Sequence, residues 1–216
     1  RVCRDNAMFI IALDYLLEMA PDSPQASRWK SLREGIERNV RAHLWDEKRQ
    51  KFIPHIYPEK SPIPEGFDEL AIHYHGGTAI AIEAGLLSKD EIRTVNAQML
   101  ENVRLSGMPS IGLTLYPVYP DGFFHGGMSK AYLYQNGGDW TWFGGRMIQQ
   151  LVVNGMVEEA YAEIHPMIER VIQNDGFYEW YGKGGVPSGS GNFKGSAGVL
   201  SKAIELLRDW AEKNKS

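Results

Sequence analysis

Residues 5–44, DNAMFIIALDYLLEMAPDSPQASRWKSLREGIERNVRAHL, contain two different helical patterns in succession, and this pairing sets the architecture of the chain. In residues 5–19 apolar side chains fall on nearly every side of a helix, so this helix is predicted to be buried all round. In residues 24–44 they form one stripe with charged residues between, which is typical of an amphipathic surface helix. Ser23 is predicted as its N-cap and Pro24 as its first residue.

The same pairing of an apolar helix with an amphipathic one recurs along the chain. Five further helices are predicted, alternately apolar and amphipathic: 72–86, 88–103, 140–153, 156–172 and 196–210. Ser88 and Glu91 form a predicted capping box at the start of the second of these. About seven helices in inner/outer alternation indicate an all-α, two-layered ring in which outer helices shield inner ones.

Three long loops interrupt this alternation: 51–67, 106–139 and 174–195, all rich in glycine, proline and aromatic residues. Each loop follows an outer helix and precedes an inner one, so all three are predicted to gather at one end of the ring. Long ordered loops on a rigid scaffold usually carry function.

The middle loop ends in YLYQNGGDWTW, residues 132–142. Sugars have apolar C–H faces and polar rims, so their sites need flat aromatic rings beside amides and carboxylates. We therefore predict sugar binding by four residues of this segment: Gln135, Asn136, Trp140 and Trp142. The alternative interpretation is a helix entry, with Asp139 as the N-cap and both tryptophans in the core.

The last loop places Glu179 between aromatic residues in a glycine-rich turn, with Tyr178 and Trp180 as its immediate neighbours. Partial desolvation can tune the pKa of such a carboxyl group for acid or base catalysis. Tyr178 and Trp180 are predicted to contact the sugar. The alternative is a solvated loop glutamate with no catalytic role.

The pair His73 and His75 opens another inner helix. A His-x-His spacing lacks the i, i+4 geometry of helical metal ligands and no third ligand is evident, so no metal is expected. His75 is predicted to contact substrate. The pair also supports an alternative function, a sugar epimerase or isomerase that moves protons at carbon.

Composition excludes several classes of function. The 216 residues are 43% hydrophobic and 23% charged, and the net charge of -4 comes with scattered basic residues. Nucleic-acid and membrane-surface partners require a concentrated positive face, so neither is expected. The glycine-rich stretches do not match a phosphate-binding loop, since no Gly-Lys-Ser/Thr element follows a strand. No cofactor is expected. Cys3 is the single cysteine and cannot form an intrachain disulfide.

Four stretches resemble a known family. They are Asn6-Ala7 and Ala12-Leu13 followed by Leu44-Trp45-Asp46, residues 112–117 (GLTLYP), residues 135–142 (QNGGDWTW), and residues 178–181 (YEWY) with the Ser/Gly-rich segment after them. On these residues the chain resembles the (α/α)6-toroid, or six-hairpin, glycosidases of the bacterial glycogen-debranching and processing-glucosidase type, glycoside hydrolase family 63 and its relatives. The likeness spans essentially the whole chain.

The resemblance implies an incomplete (α/α)6 toroid in which residues 1–216 form one domain, the C-terminal portion of a glycosidase catalytic domain. It implies inverting hydrolysis of a carbohydrate substrate of glucoside or mannoside type, with Glu179 as the catalytic base. The family's catalytic acid precedes the inner helix that matches residues 5–19, so it is expected upstream of Arg1. The missing N-terminal part of the same protein would then be a partner, and the isolated segment would be inactive.

Asp139 departs from the family pattern, because relatives usually carry an uncharged residue there. We interpret Asp139 as a sugar-binding residue, with the role of acid as the alternative. A further alternative for the chain is a non-catalytic carbohydrate-binding module. The chain opens without an initiating methionine and is interpreted as an excised segment, so localisation stays open between bacterial cytoplasm and periplasm.

Overall fold

The computed structural model describes residues 3–215. Seven α-helices occur in this range: α1 (Cys3–Met19), α2 (Ala26–Leu44), α3 (His75–Glu83), α4 (Lys89–Ser106), α5 (Thr141–Val153), α6 (Val157–Gln173) and α7 (Lys194–Lys213). Two short antiparallel hairpins join them, β1 (Trp45–Asp46) with β2 (Lys51–Phe52) and β3 (Trp180–Tyr181) with β4 (Pro187–Ser188). The chain is therefore all-α, as predicted.

The helices form two layers. In the inner row α1 contacts α3, α3 contacts α5, and α5 contacts α7. In the outer row α2 packs on α1 and α6 packs on α5. Side chains also join outer helices to each other, since Arg41 of α2 pairs with Glu91 of α4 at 2.7 Å. This two-layered arc has the toroid-like architecture predicted from the alternation.

The inner helices approach one another closely because glycines stand at their crossings. A Cβ on Gly145 of α5 would lie 3.1 Å from the Val199 side chain of α7, and one on Gly76 of α3 would lie 2.8 Å from the ring of Phe143. A continuous core fills the space around these crossings. Ile80 and Ile148 at its centre are completely buried.

Helix α1 differs from its prediction. Only four of its residues are buried: Cys3, Ala7, Ile10 and Leu13. Five large apolar side chains are exposed on the rest of its surface: Met8, Phe9, Tyr15, Leu16 and Met19. The prediction of burial all round is wrong for this chain, because α2 and α3 cover one side of α1 and no segment within residues 3–215 covers the other.

Two helix starts also differ. α2 begins at Ala26, and Ser23 is not its N-cap but accepts a hydrogen bond from the Gln25 amide at 3.2 Å in a preceding turn. α3 begins at His75 rather than residue 72, because His73 pairs through its backbone with Tyr116. The capping box of Ser88 and Glu91 is confirmed.

The long loops meet at one end of the arc, as predicted. The first and second loops share a small apolar cluster in which the ring of Phe67 lies 5.6 Å from that of Tyr119. The second and third loops are joined by backbone hydrogen bonds between Asp139 and Tyr181. The amino-terminal ends of the inner helices therefore open onto a common loop surface, called here the loop end.

No helix between residues 3 and 215 combines the length and hydropathy that a bilayer-spanning segment requires.

Candidate functional site

Glu179 lies at the loop end, immediately before β3. Its backbone amide donates to the Ser190 carbonyl at 2.9 Å, which continues the β3–β4 pairing. Its half-buried side chain packs against Gly189, where φ is +72° and a Cβ would overlap the carboxylate. Glycine is therefore required opposite Glu179 both for its backbone conformation and for space. The hydroxyl of Tyr134 donates a long hydrogen bond of 3.5 Å to Glu179 Oε1.

Tyr134, which contacts this carboxylate, belongs to a cluster of aromatic rings. The Tyr134 ring centroid lies 4.8 Å from that of Trp140 and 6.3 Å from that of Trp180, both in edge-on geometry. Partial burial raises the pKa of Tyr134, and the negative charge of Glu179 raises it further. The phenol therefore stays protonated and able to donate. Trp140 is buried, with its indole Nε1 donating to the Tyr134 carbonyl at 3.1 Å. Trp180 remains partly exposed and is the ring available to a sugar face.

Gln135 and Asn136 are adjacent in sequence but occupy different environments. Gln135 lines a small pocket of about 100 Å³ together with Arg4 at the start of α1 and Tyr74 before α3. Asn136 is completely buried, and its side chain exchanges hydrogen bonds of 2.9 and 3.1 Å with the backbone of Tyr119. Gln135 is thus accessible at the loop end, whereas Asn136 fastens one part of the middle loop to another.

Asp139 is also completely buried. Its carboxylate accepts from the Ser110 amide at 2.7 Å and from the Ser110 hydroxyl at 2.9 and 2.8 Å. Arg170 of α6 completes the environment with an ion pair of 2.8 Å. Trp140, not Asp139, precedes α5 at the N-cap position. The carboxylate of Asp139 is therefore engaged by groups of this chain and does not face the loop end.

Trp142 and Tyr178, two further residues predicted to contact the sugar, mainly contact protein. The guanidinium of Arg146 lies over the Trp142 ring at 4.4 Å, and a Cβ on Gly195 would be 3.1 Å from that ring, at the junction of α5 and α7. The ring of Tyr178 lies 6.1 Å from that of Tyr181. Both side chains are partly buried.

The two histidines lie against the outer helix α4. His75 is 3% exposed, and its Nε2 lies 3.0 Å from the amide of Asn102 on α4. Burial lowers the pKa of His75 to about 3 and, with the nearby charge of Lys51, that of His73 to about 4. His73 lines an open groove with Gln98 of α4. Although His75 begins the inner helix α3, its buried side chain is thus directed at the outer helix α4 and not at the loop surface.

A second polar cluster supports the first loop. Oε1 of Glu69 accepts from the hydroxyls of Tyr119 at 2.6 Å and Tyr57 at 2.8 Å, and it lies 2.7 Å from His55 Nδ1. Desolvation and the hydrogen bond to Glu69 raise the pKa of both tyrosines. These four residues lock the first loop to the middle loop.

Residues 3–215 contain no group of three or more histidine, cysteine or carboxylate side chains arranged to hold a metal ion.

Sequence reasoning misses three residues that are important to the site: Tyr134, Ser110 and Arg170. Tyr134 stands next to Gln135 in the quoted segment, so its position could have been recognised. Ser110 and Arg170 carry no local signal, because they approach Asp139 only after the middle loop folds back over α5 and α6.

Comparison with solved structures finds chains of the same architecture. The GH63 mannosylglycerate hydrolase from Thermus thermophilus matches in complex with Tris and D-glycerate, with a TM-score of 0.62 and 17% identity over 96% of this chain and 45% of that chain. Its complex with glucose matches with a TM-score of 0.63 and 17% identity over 96% of this chain and 47% of that chain. This chain has the GH63 glycosidase fold.

An uncharacterized conserved protein from Thermus thermophilus also matches this chain, with a TM-score of 0.65 and 18% identity over 96% of this chain and 46% of that chain. The chain thus spans less than half the length of these structures. No family profile matches its sequence, and no curated protein matches it.

Proposed function

We propose that this chain carries the base side of a glycoside hydrolase active site that acts with inversion, and that Glu179 is the general base. The main support is the half-buried Glu179 carboxylate, which accepts a hydrogen bond from the Tyr134 hydroxyl; the Tyr134 ring in turn lies 6.3 Å from the partly exposed Trp180 ring. A base at this position can take a proton from the attacking water, while the tryptophan ring carries an apolar sugar face.

Gln135, which follows Tyr134 in sequence, connects the proposed site to the start of α1. Cys3 and Arg4 line the same small pocket as Gln135, so a residue that precedes α1 would enter the loop end from that side. We place the catalytic acid in such a preceding segment. In an inverting pair the two carboxyl groups stand roughly 6.5–9.5 Å apart, so that the attacking water fits between them.

We also propose that additional helices complete the ring, and the exposed apolar side of α1 supports this. Five large apolar side chains on one helix form a surface that soluble proteins normally cover: Met8, Phe9, Tyr15, Leu16 and Met19. The N-terminal part of the same protein is the proposed partner. Without it, residues 1–216 are expected to bind sugar weakly and to show no turnover.

The proposed substrate is a hexoside of glucose or mannose type. Similar structures carry the name mannosylglycerate hydrolase, and one of them was determined with glucose. Glu179, Gln135 and Trp180 are the proposed contacts of this chain with substrate. Asn136, Trp140 and Asp139, by contrast, are proposed to shape the site from behind, because they are buried and already bonded.

The competing epimerase function receives no support from the histidines. His75 is buried and hydrogen-bonded to an outer helix, so it cannot reach a sugar at the loop end without rearrangement. Product analysis separates the two functions, since an epimerase generates no new reducing end.

Titration with glucose, mannose and a cationic iminosugar tests the proposed site in the isolated chain. The positively charged iminosugar should pair with the Glu179 carboxylate, so Glu179→Gln is expected to weaken its binding at least ten-fold and glucose binding less than three-fold. Glu65→Gln, at an exposed position in the first loop, is the matched control and should change neither.

Equal effects of Glu179→Gln and Glu65→Gln on iminosugar binding would favour a non-catalytic sugar-binding module instead. In a protein completed by the N-terminal part, Glu179→Gln should lower turnover about 10²–10⁴-fold, the usual contribution of a general base. Turnover within three-fold of the wild type would refute the assignment of Glu179.

A further inference from the structure

The β3–β4 hairpin that follows Glu179 is joined to the scaffold at Asp139. The Asp139 amide donates to the Tyr181 carbonyl at 2.9 Å, and the Tyr181 amide donates back to the Asp139 carbonyl at 2.8 Å. Tyr181 is completely buried and lies two residues after Glu179. These two reciprocal hydrogen bonds connect the hairpin to the segment that immediately precedes α5.

A buried ion pair between Asp139 and Arg170 lies at this junction. Arg170 of α6 is 5% exposed, and its Nη1 lies 2.8 Å from Asp139 Oδ1. Its Nη2 donates to the Thr141 hydroxyl at 2.7 Å, and its guanidinium stacks on the Tyr181 ring at 4.0 Å from the centroid. One guanidinium thus contacts the carboxylate, the first residue of α5 and the aromatic ring of the hairpin.

Ser110 and Gly112 close the junction from the middle loop. Ser110 donates both its amide and its hydroxyl to Asp139, and Gly112 leaves no room for a side chain next to Asp139 Oδ1. Both oxygens of the Asp139 carboxylate thus accept hydrogen bonds in a buried site. Among the described residues, Arg170 Nε has no hydrogen-bond partner, and Nη1 engages Asp139 as an ion pair. Removal of one partner of such a buried pair is strongly destabilising, because it leaves the other charge buried and unpaired.

We propose that Asp139 and Arg170 are positioning residues that hold the Glu179 hairpin in its place at the loop end, and that neither contacts substrate. This inference rests on the proposed role of Glu179 for its catalytic meaning. The structural part of it, the dependence of the hairpin on the ion pair, does not require that the chain be an enzyme.

Hydrogen exchange measured by NMR on the full chain tests the structural part. Asp139→Asn and Arg170→Met are each expected to accelerate exchange of the Tyr181 amide at least ten-fold, while the Ile148 amide in α5 stays within two-fold of the wild type. The double variant is expected to exchange no faster than either single variant, because the two residues act as one unit. Arg170→Lys, which keeps the charge but not the planar fork, should give an intermediate rate.

Glu83→Gln is the matched control, since Glu83 forms an ion pair with Arg146 between α3 and α5 and does not touch the hairpin. It should leave Tyr181 exchange within two-fold. Should Asp139→Asn or Arg170→Met unfold the chain, Ser110→Ala, which removes one donor to Asp139, replaces them and should accelerate Tyr181 exchange at least three-fold. Unchanged Tyr181 exchange, or equal acceleration at Ile148, would overturn the inference.

The catalytic part needs a form of the protein that turns over a glycoside. There Asp139→Asn is expected to lower kcat at least ten-fold and to leave KM within three-fold. Loss of all turnover with unchanged Tyr181 exchange would instead make Asp139 a direct participant and overturn the inference. If no glycoside is turned over, the proposed function fails, and the exchange measurements still decide the role of the ion pair in holding the hairpin.

Discussion

A buried carboxyl group between the outer helices α4 and α6 should make the stability of this protein decrease with rising pH. Glu163 is 8% exposed, and its Oε1 accepts a hydrogen bond of 2.7 Å from the side-chain amide of Asn96. Within residues 3–215, neither Glu163 Oε2 nor Asn96 Oδ1 has a hydrogen-bond partner. A proton on Glu163 Oε2 would satisfy both atoms at once, because the acid could then donate to the Asn96 oxygen.

The size of the effect follows from the pKa of Glu163, which burial raises from 4.5 to about 7, with a smaller contribution from the nearby charge of Glu159. The folded protein therefore holds this proton over a pH range in which the unfolded chain has released it. The contribution of Glu163 to stability is then highest below about pH 4.5, falls as pH rises, and is lower by about 3 kcal/mol above pH 7. Other ionisable groups add their own pH dependence to the total.

Glu163→Gln isolates this contribution. An amide at this position can still accept from the Asn96 amide, can donate to the Asn96 oxygen as the protonated acid would, and cannot ionise. The variant should therefore match the wild type near pH 4.5 and exceed its stability by about 3 kcal/mol at pH 8. Urea unfolding at pH 4.5, 6 and 8 measures the difference, with Glu169→Gln on the less buried side of α6 as control. A constant difference between Glu163→Gln and the wild type at all three pH values would refute the reasoning.

Two further predictions concern the loops. Gly189→Ala places a side chain against Glu179 at a position where φ is +72°. It should lower the free energy of unfolding by about 1–3 kcal/mol, measured by urea unfolding. It should also displace the Glu179 carboxylate, which a change in iminosugar affinity would report. Ser190→Ala should leave iminosugar affinity unchanged, since only the backbone of Ser190 bonds to Glu179. It should change the free energy of unfolding by less than about 1 kcal/mol, because its hydroxyl accepts only an exposed hydrogen bond of 3.3 Å from the Asn192 amide. Asn136→Ala leaves the buried amide and carbonyl of Tyr119 without partners and should cost about 2–4 kcal/mol of stability, visible in thermal unfolding; an unchanged midpoint would show that water replaces the side chain.

Much of the fold could be predicted from sequence. The alternation of apolar and amphipathic helices predicts the two layers, and the capping box at Ser88 locates the start of α4. The same reasoning fails for α1, where apolar residues on every side do not mean burial on every side. Hydrophobicity shows that a side chain favours burial, but only the arrangement of the other helices decides whether something covers it.

The candidate site shows the same division. Glu179 and Gln135 can be selected from their residue types and their place in glycine-rich and aromatic loops. The same criteria select Asp139 as a sugar ligand, yet the structure buries it against Ser110, 29 residues away in sequence. The local sequence around a polar loop residue does not show whether its side chain faces a ligand or another part of the loop.

Features that depend on neighbours within about one helical turn follow from the local sequence alone: helix periodicity, the cap of α4, and the glycine-rich character of the three long loops. The meeting of distant polar side chains arises only when the helices pack. Tyr134 reaches Glu179 across 45 residues, and Asn102 reaches His75 across 27. Such contacts depend on the packing of whole helices and loops, because the free energy that selects them is shared among many distant side chains rather than encoded in any one segment.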